Sequence, residues 1–389
     1  MLPEISAGYG ASTSYLNRNW NFENPADTFS ADLNLRITQK IFDGGKSFIQ
    51  KTLSGISTES VRKEALAEYF NVLDSADNAF YAVLEAEAAL EAEESSLQTS
   101  MDSLAIAEIR QASGMINQGD YLKALSDKEA RENSRNQARR SLALNITKLK
   151  AITGLSEIPP LEQINFSGYE ELILHLGNIS DDEADALYDK FWKILASANP
   201  SLARAALNRQ SAEKRLSIAK RDYFPVLNAT LFSTSLEYSA AKGFGTSAGG
   251  GFTLSGTIPL DFWVMSNKIE KSKIALESAS LDYISAGSQL ETDLQSALLN
   301  SFANAGSVLS SRRSLQYAEK HFEFIMERYK LSQSSISDLN EASTLLINSR
   351  NNLIRSNYGF LQSLSKLRSL GAMDDEQKLQ EILMASSIN

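Results

Sequence analysis

Apolar and polar positions alternate with two different periods along this chain, and the change of period outlines its architecture. In 29–38, Phe29, Ala31, Leu33, Leu35 and Ile37 alternate with Ser30, Asp32, Asn34, Arg36 and Thr38, the two-residue period of a strand with one apolar and one polar face. Ile5, Ala7, Tyr9 and Ala11 alternate in the same way with Ser6, Gly8, Gly10 and Ser12. Phe252, Leu254, Ile258 and Leu260 interleave with Thr253, Ser255, Thr257 and Pro259, and Leu227, Ala229 and Leu231 open a less regular fourth segment. The pattern predicts two hairpins, with a polar connection at 17–27 and a glycine-rich one at 239–251.

The second period is helical. The seven prolines stand at 3, 25, 159, 160, 200, 225 and 259, so 26–158 and 260–389 lack the residue that most strongly breaks helices. Leu66, Leu73 and Phe80 recur every seven residues with Phe70 and Leu84 interleaved, a coiled-coil-like seam that Asp77 and Glu87 interrupt. Leu294, Leu298, Phe302, Ala305 and Leu309 form a similar stripe. A single helix over 45–113 would be about 100 Å long, which predicts an elongated molecule.

The two halves repeat, and a fixed internal period decides architecture before any single motif. Adding 218 to Gly114, Asp120 and Ala124 gives Ser332, Asp338 and Ala342, and adding 217 to Gly154 gives Gly371. Each half runs strand, loop, strand, long helix, short turn, second helix, glycine stop. Each turn is rich in Ser, Gly and Asp before a renewed apolar period, so Asp120 and Asp338 can serve as helix caps, as functional acids, or as both. The second copy has an extra helix over 201–221 after Asn199-Pro200. Symmetry, together with a start at Met1-Leu2-Pro3 that lacks a charged or apolar leader, predicts a first helix and a signal peptide upstream.

Charge and chemistry narrow the classes. With 38 basic and 48 acidic residues the net charge is −10, and no basic cluster offers a nucleic-acid surface. The chain has no cysteine and only two histidines, His175 and His321, which argues against a metal site or a catalytic triad and predicts no cofactor. The glycines at 243, 245, 249, 250 and 251 lack the Gly-Lys-Ser/Thr and following helix of a phosphate loop, so a hairpin tip is expected there. No run reaches the roughly 18 apolar residues of a membrane-spanning helix.

The strand segments, roughly 10 to 14 residues each, have the length of tilted outer-membrane strands. Their apolar faces are uncharged, whereas the opposite faces carry Glu4, Asp32, Arg36 and Lys40. Phe42, Tyr223, Phe224, Phe262 and Trp263 all fall where strands abut helices, the expected place of an interfacial aromatic girdle. A soluble sandwich could show similar alternation. Four strands cannot close a barrel, so two chains would supply eight strands and three would supply twelve.

These features resemble the outer-membrane efflux proteins of the TolC type, over essentially the whole chain. The most specific piece is 329–342, which runs Tyr-Lys-Leu-Ser-Gln-Ser-Ser-Ile-Ser-Asp-Leu-Asn-Glu-Ala and is similar to the family's second periplasmic turn; 114–124 matches the first turn in the same register. The resemblance implies a mainly α fold, a long helical-hairpin bundle with four strands per chain completing a 12-stranded trimeric β-barrel. It implies barrel hairpins at 1–43 and 223–263, a periplasmic helical tunnel from 44–154, 199–222 and 264–371, and an equatorial region from 155–198 and 372–389, where Ser180 to Glu183 reads as a capping box. Expected partners are a homotrimer, outer-membrane lipid, a periplasmic adaptor and an inner-membrane pump exporting drugs, small molecules or proteins. Asp120, Tyr329, Asp338 and Glu341 would form the aperture and gate, and Gly114, Gly119, Ser332 and Ser334 the docking turns. Ser334 stands where well-known members carry a gate-locking arginine, Asn340 replaces an apolar residue, and Ser332 replaces a turn glycine.

Two competing classes fit parts of the pattern. A soluble coiled-coil scaffold could use the hairpins as caps for its rods, and a periplasmic adaptor also carries helical hairpins but not two equivalent strand pairs. An enzyme is disfavoured because no nucleophile, base and orienter cluster together. The paired uncharged strand faces discriminate in favour of the channel subunit.

Overall fold

A computed structural model describes residues 3–13, 29–239, 243–245 and 249–384, with side chains placed outside 11–33 and 234–248. In chain order the elements are β1 (Glu4–Thr13), β2 (Phe29–Phe42), α1 (Lys46–Ala112), α2 (Gln118–Thr153), α3 (Glu170–Gly177), α4 (Asp181–Ala198) and α5 (Pro200–Lys220). They continue as β3 (Val226–Ser239), β4 (Gly243–Gly245), β5 (Gly249–Thr257), α6 (Phe262–Lys330), α7 (Ile336–Leu370) and α8 (Glu376–Met384). Contacts divide the chain into two units, Met1–Val61 with Arg204–Ile284, and Arg62–Ala203 with Ser285–Asn389.

In the first unit the strands form one antiparallel sheet in the order β1-β2-β3, with β4 and β5 both on the remaining edge of β3. The two hairpins are thus fused through β2 and β3 into four lanes. Register turns the sequence alternation into rows. Ile5 pairs with Ile37, Ile37 with Leu231 and Leu231 with Phe252, an apolar row across all four lanes. The neighbouring row is Glu4, Thr38, Thr230 and Thr253, and the Thr38 and Thr230 hydroxyls lie 3.5 Å apart. Ile5, Ile37, Leu231 and Phe252 are 66, 37, 54 and 69% exposed, and no strand side chain among those described is buried. Among the described residues, neither face of the sheet therefore has a buried core.

The glycine-rich stretch departs from expectation. The 239–251 segment is not simply a connection, because β4 and the start of β5 lie within it and pair with β3. Gly251 explains part of this: a Cβ there would come within 2.6 Å of the Phe232 ring, so the missing side chain makes room for the aromatic on the adjacent strand. At the other end, Ile258 and Leu260 lie beyond β5, which stops at Thr257 before Pro259. The 17–27 connection and the side chain of Leu33 are outside the described residues.

Beneath the sheet, the Asp43 carboxylate accepts from the Ser47 backbone N–H at 3.0 Å, capping α1. The Asp222 carboxylate lies between the ammonium groups of Lys46 (2.6 Å) and Lys268. Tyr223 stacks on Phe262 with ring centroids 6.3 Å apart, and Phe42, Phe224 and Trp263 are exposed.

The second unit is helical. The interruption of the seam in α1 has a physical cause: Phe70 and Leu84 are buried, and Asp77, seven residues from each, pairs with Arg368 of α7 and accepts from the Ser365 hydroxyl at 2.8 Å. The seam runs through Phe70, Asp77 and Leu84, while Leu66 is exposed. Ile173 and Leu176 of α3, Leu187, Phe191 and Leu195 of α4, Leu379 and Leu383 of α8, and Phe360 and Leu367 of α7 are all buried, and Leu361 of α7 packs with Leu84 of α1 and Tyr358. Ser180 and Glu183 form the expected capping box at the start of α4. The extra helix begins with Pro200 at its first position. Just before it, buried Asn199 accepts from Leu202 N–H at 3.0 Å and donates to the Leu370 carbonyl at 3.0 Å.

The repeat holds more strictly than the sequence suggests. Gly154 ends α2 with φ 71°, but Gly371 is right-handed at φ −76° and the left-handed residue is Ala372 at φ 49°. The structural partner of Gly154 is therefore Ala372, which restores the offset of 218. No described helix is long and apolar enough to cross a membrane, which says nothing of a β-barrel.

Candidate functional site

The two turns between the long helices are built alike. Gly114, left-handed at φ 72°, ends α1, and Met115 N–H donates back to the Arg110 carbonyl at 2.8 Å. Ser332, left-handed at φ 60°, ends α6, and Gln333 N–H donates to the Arg328 carbonyl at 2.8 Å. This six-to-one bond closes a helix C-terminus by satisfying an orphan carbonyl, and it requires the left-handed residue.

The next helices start from side-chain caps. Asn117 accepts from Asp120 N–H at 2.9 Å and donates to the Asp120 carboxylate at 3.0 Å. Ser335 accepts from Asp338 N–H at 3.1 Å, while Asp338 accepts from Ser335 N–H at 2.9 Å and from the Ser334 hydroxyl at 3.0 Å. The Asp338 carboxyl is held below its ordinary range, first by the Ser335 backbone bond and then by the two serine hydroxyls. Both aspartates thus cap helices, and Gly119 lies inside the first turn of α2. Glu341 is exposed one turn further along α7.

Tyr329 is 1% exposed and packs with Ala107, Ala124, Ile336 and Leu339, so all four long helices meet at it. Its hydroxyl is buried and has no hydrogen-bond partner. Burial pushes its pKa up, nearby Asp120 adds to the rise, and the Arg110 guanidinium opposes it. Tyr329 and Asp120 are therefore neighbours without a hydrogen bond between them. The residue that sequence reasoning missed is Arg110, buried beside Tyr329; its only signal was a lone cation in the last turn of α1. Across the turns, Lys123 donates to the Ser337 hydroxyl at 3.1 Å. Among the described residues no cluster of acidic or histidine side chains could hold a metal ion.

A duplicated chain with paired strand hairpins, two long helical hairpins and capped turns between them is the protomer of an outer-membrane channel. A family model described as "Outer membrane efflux protein" matches residues 1–155 and 193–372, and the chain belongs to that family. It is 22% identical to the outer membrane protein TolC of Escherichia coli over 404 aligned positions, which cover 97% of this chain and 76% of that protein. The CmeC outer membrane channel of Campylobacter jejuni superposes with a TM-score of 0.76 at 15% identity, covering 98% of this chain and 81% of CmeC. The outer membrane protein VceC of Vibrio cholerae gives 0.74 at 16% identity, covering 96% and 88%. The protein is accordingly an outer-membrane efflux channel subunit.

Proposed function

We propose that three copies of this chain form a passive conduit for a tripartite efflux or type I secretion system, docking through their turns on a periplasmic adaptor and an inner-membrane pump. The observation that carries this reading is the apolar row Ile5, Ile37, Leu231 and Phe252, exposed across every lane of a sheet whose next row is polar. In water such a sheet would leave a large apolar face unburied; in a membrane, lipid covers it. The outer edges of β1 and of the β4/β5 lane have no strand partner among the described residues. Open edges are not tolerated in lipid, so further copies must supply the missing pairs. Twelve strands would leave a water-filled lumen.

In this reading 1–43 and 223–263 form the barrel. The helices of 44–154, 199–222 and 264–371 form the tunnel, with 155–198 and 372–389 as its belt. The aromatics Phe42, Tyr223, Phe224, Phe262 and Trp263 sit at the lipid interface. At the far end three copies each of Asp338 and Glu341 ring the aperture, and rings of acidic side chains favour cations. Planar-bilayer recording of the full-length assembly tests this. Replacing Asp338→Asn and Glu341→Gln together should abolish cation preference and block by multivalent cations. Unchanged selectivity with lowered thermal stability would reduce both residues to their helix-start role.

A further inference from the structure

Arg110 lies in the last turn of α1, 7% exposed, and among the described residues it forms no ion pair. A cation buried without compensation is costly. Among the described residues, the compensation shown comes from Tyr329. The guanidinium donates through Nη2 to the Tyr329 main-chain carbonyl and lies over the Tyr329 ring, 4.4 Å from its centroid. That carbonyl belongs to the last turn of α6, where orphan acceptors and the negative end of the helix dipole favour a cation. The ring face adds a cation–π attraction.

The duplication shows that the pairing is specific to one copy. Arg328, 218 residues on, plays the same backbone part in its own turn. Its side chain instead turns outward, donating to the Gln333 carbonyl at 3.1 Å on its own turn, with Phe324 5.6 Å away. The first-copy position equivalent to Tyr329 is Gln111, which offers no ring. The contact therefore runs one way, from the first helical hairpin to the second.

We propose that Arg110 is the positioning residue that staples the 113–117 turn to the 331–335 turn within each protomer, through the main-chain carbonyl and ring face of Tyr329, and so controls how readily the tip of the channel opens. The proposal rests on the channel reading above.

The test uses the full-length assembled protein and two readouts. In planar bilayers, Arg110→Gln and Tyr329→Leu should raise conductance several-fold, and Arg110→Lys should fall between them and wild type. In hydrogen exchange, Arg110→Gln should speed exchange of the 329–335 amides roughly tenfold, the loss expected from one charged hydrogen bond. Peptides from α3 and α4 should be unchanged, which separates local release from general unfolding. Wild-type exchange in Arg110→Gln, or wild-type conductance in both Arg110→Gln and Tyr329→Leu, would overturn the staple. If neither the wild-type protein nor the opened variants pass current while the Arg110→Gln turn still exchanges faster, the staple stands and the channel reading falls.

Discussion

Gly114 and Ser332 occupy the same left-handed backbone position in the two copies, at φ 72° and φ 60°. Each allows the next residue to close its helix with a bond of 2.8 Å. Glycine adopts this conformation freely, whereas a residue with a Cβ pays about 1 kcal/mol or more. A Cβ at Gly114 would meet nothing within 4 Å, so the difference between the copies is conformational rather than steric. Ser332→Gly should therefore stabilise the protein by up to about 1 kcal/mol, and Gly114→Ser should destabilise it by a similar amount. Thermal melts followed by circular dichroism check both, and melting points moving together in one direction would contradict the shared geometry.

The cap at α7 makes a pH prediction. Asp338 is held below its usual range by bonds that the ionised carboxylate accepts more strongly than the neutral carboxyl. Its folded pKa is thus lower than its unfolded one, and its contribution is present above the unfolded value of about 3.8 and is lost as pH falls through the folded value. The deficit of Asp338→Asn relative to wild type should be full at neutral pH and shrink in acid below that range. Ser335→Ala removes the other half of the box and should cost about 1 kcal/mol. Paired melts of variant and wild type at each pH check this, since other titrating groups cancel.

The pair Asp77 and Arg368 lies across the helical seam, with side chains 22 and 14% exposed. Removing one partner strands the other, so Asp77→Leu should destabilise by about 3 kcal/mol, whereas Asp77→Leu with Arg368→Met should be close to neutral. Denaturant melts of both variants decide the point. Additive losses in the double variant would show that the ion pair is not the reason Asp77 stands in the seam.

What could be read from the sequence followed from periodicity. Strand faces, both long helices, the Ser180 capping box and the duplication come from regular spacing of side chains, which local geometry enforces. The extent of the fourth lane did not, because a run of glycines carries no alternation and reads as a loop until Phe232 is seen to occupy the space beside Gly251. Nor did Ala372, because alanine gives no sign of a left-handed backbone and neighbouring Gly371 draws the assignment. The turns were legible as turns, but Arg110 was not legible as their staple. Its partner is 219 residues away, and the contact uses a carbonyl, which every residue carries.

The face assignment of the sheet makes the last prediction. Ile37 and Leu231 pair within the exposed apolar row, while Thr38 and Thr230 pair in the polar row beside it. If lipid covers the first face and water the second, Ile37→Arg and Leu231→Arg each place a cation in hydrocarbon. That costs about 2 to 4 kcal/mol near the bilayer midplane and less toward the interface. Thr38→Lys places its charge in the lumen, where Arg36 and Lys40 already share its face of β2, and should be tolerated. The measurement is the amount of oligomer recovered from the outer-membrane fraction that dissociates only on heating. Ile37→Arg and Leu231→Arg should reduce it strongly and Thr38→Lys should not. Equal recovery of all three would mean that the two faces meet the same solvent, and the sheet would then belong to a soluble assembly. Loss confined to Thr38→Lys would reverse the assignment, putting the threonine row against lipid.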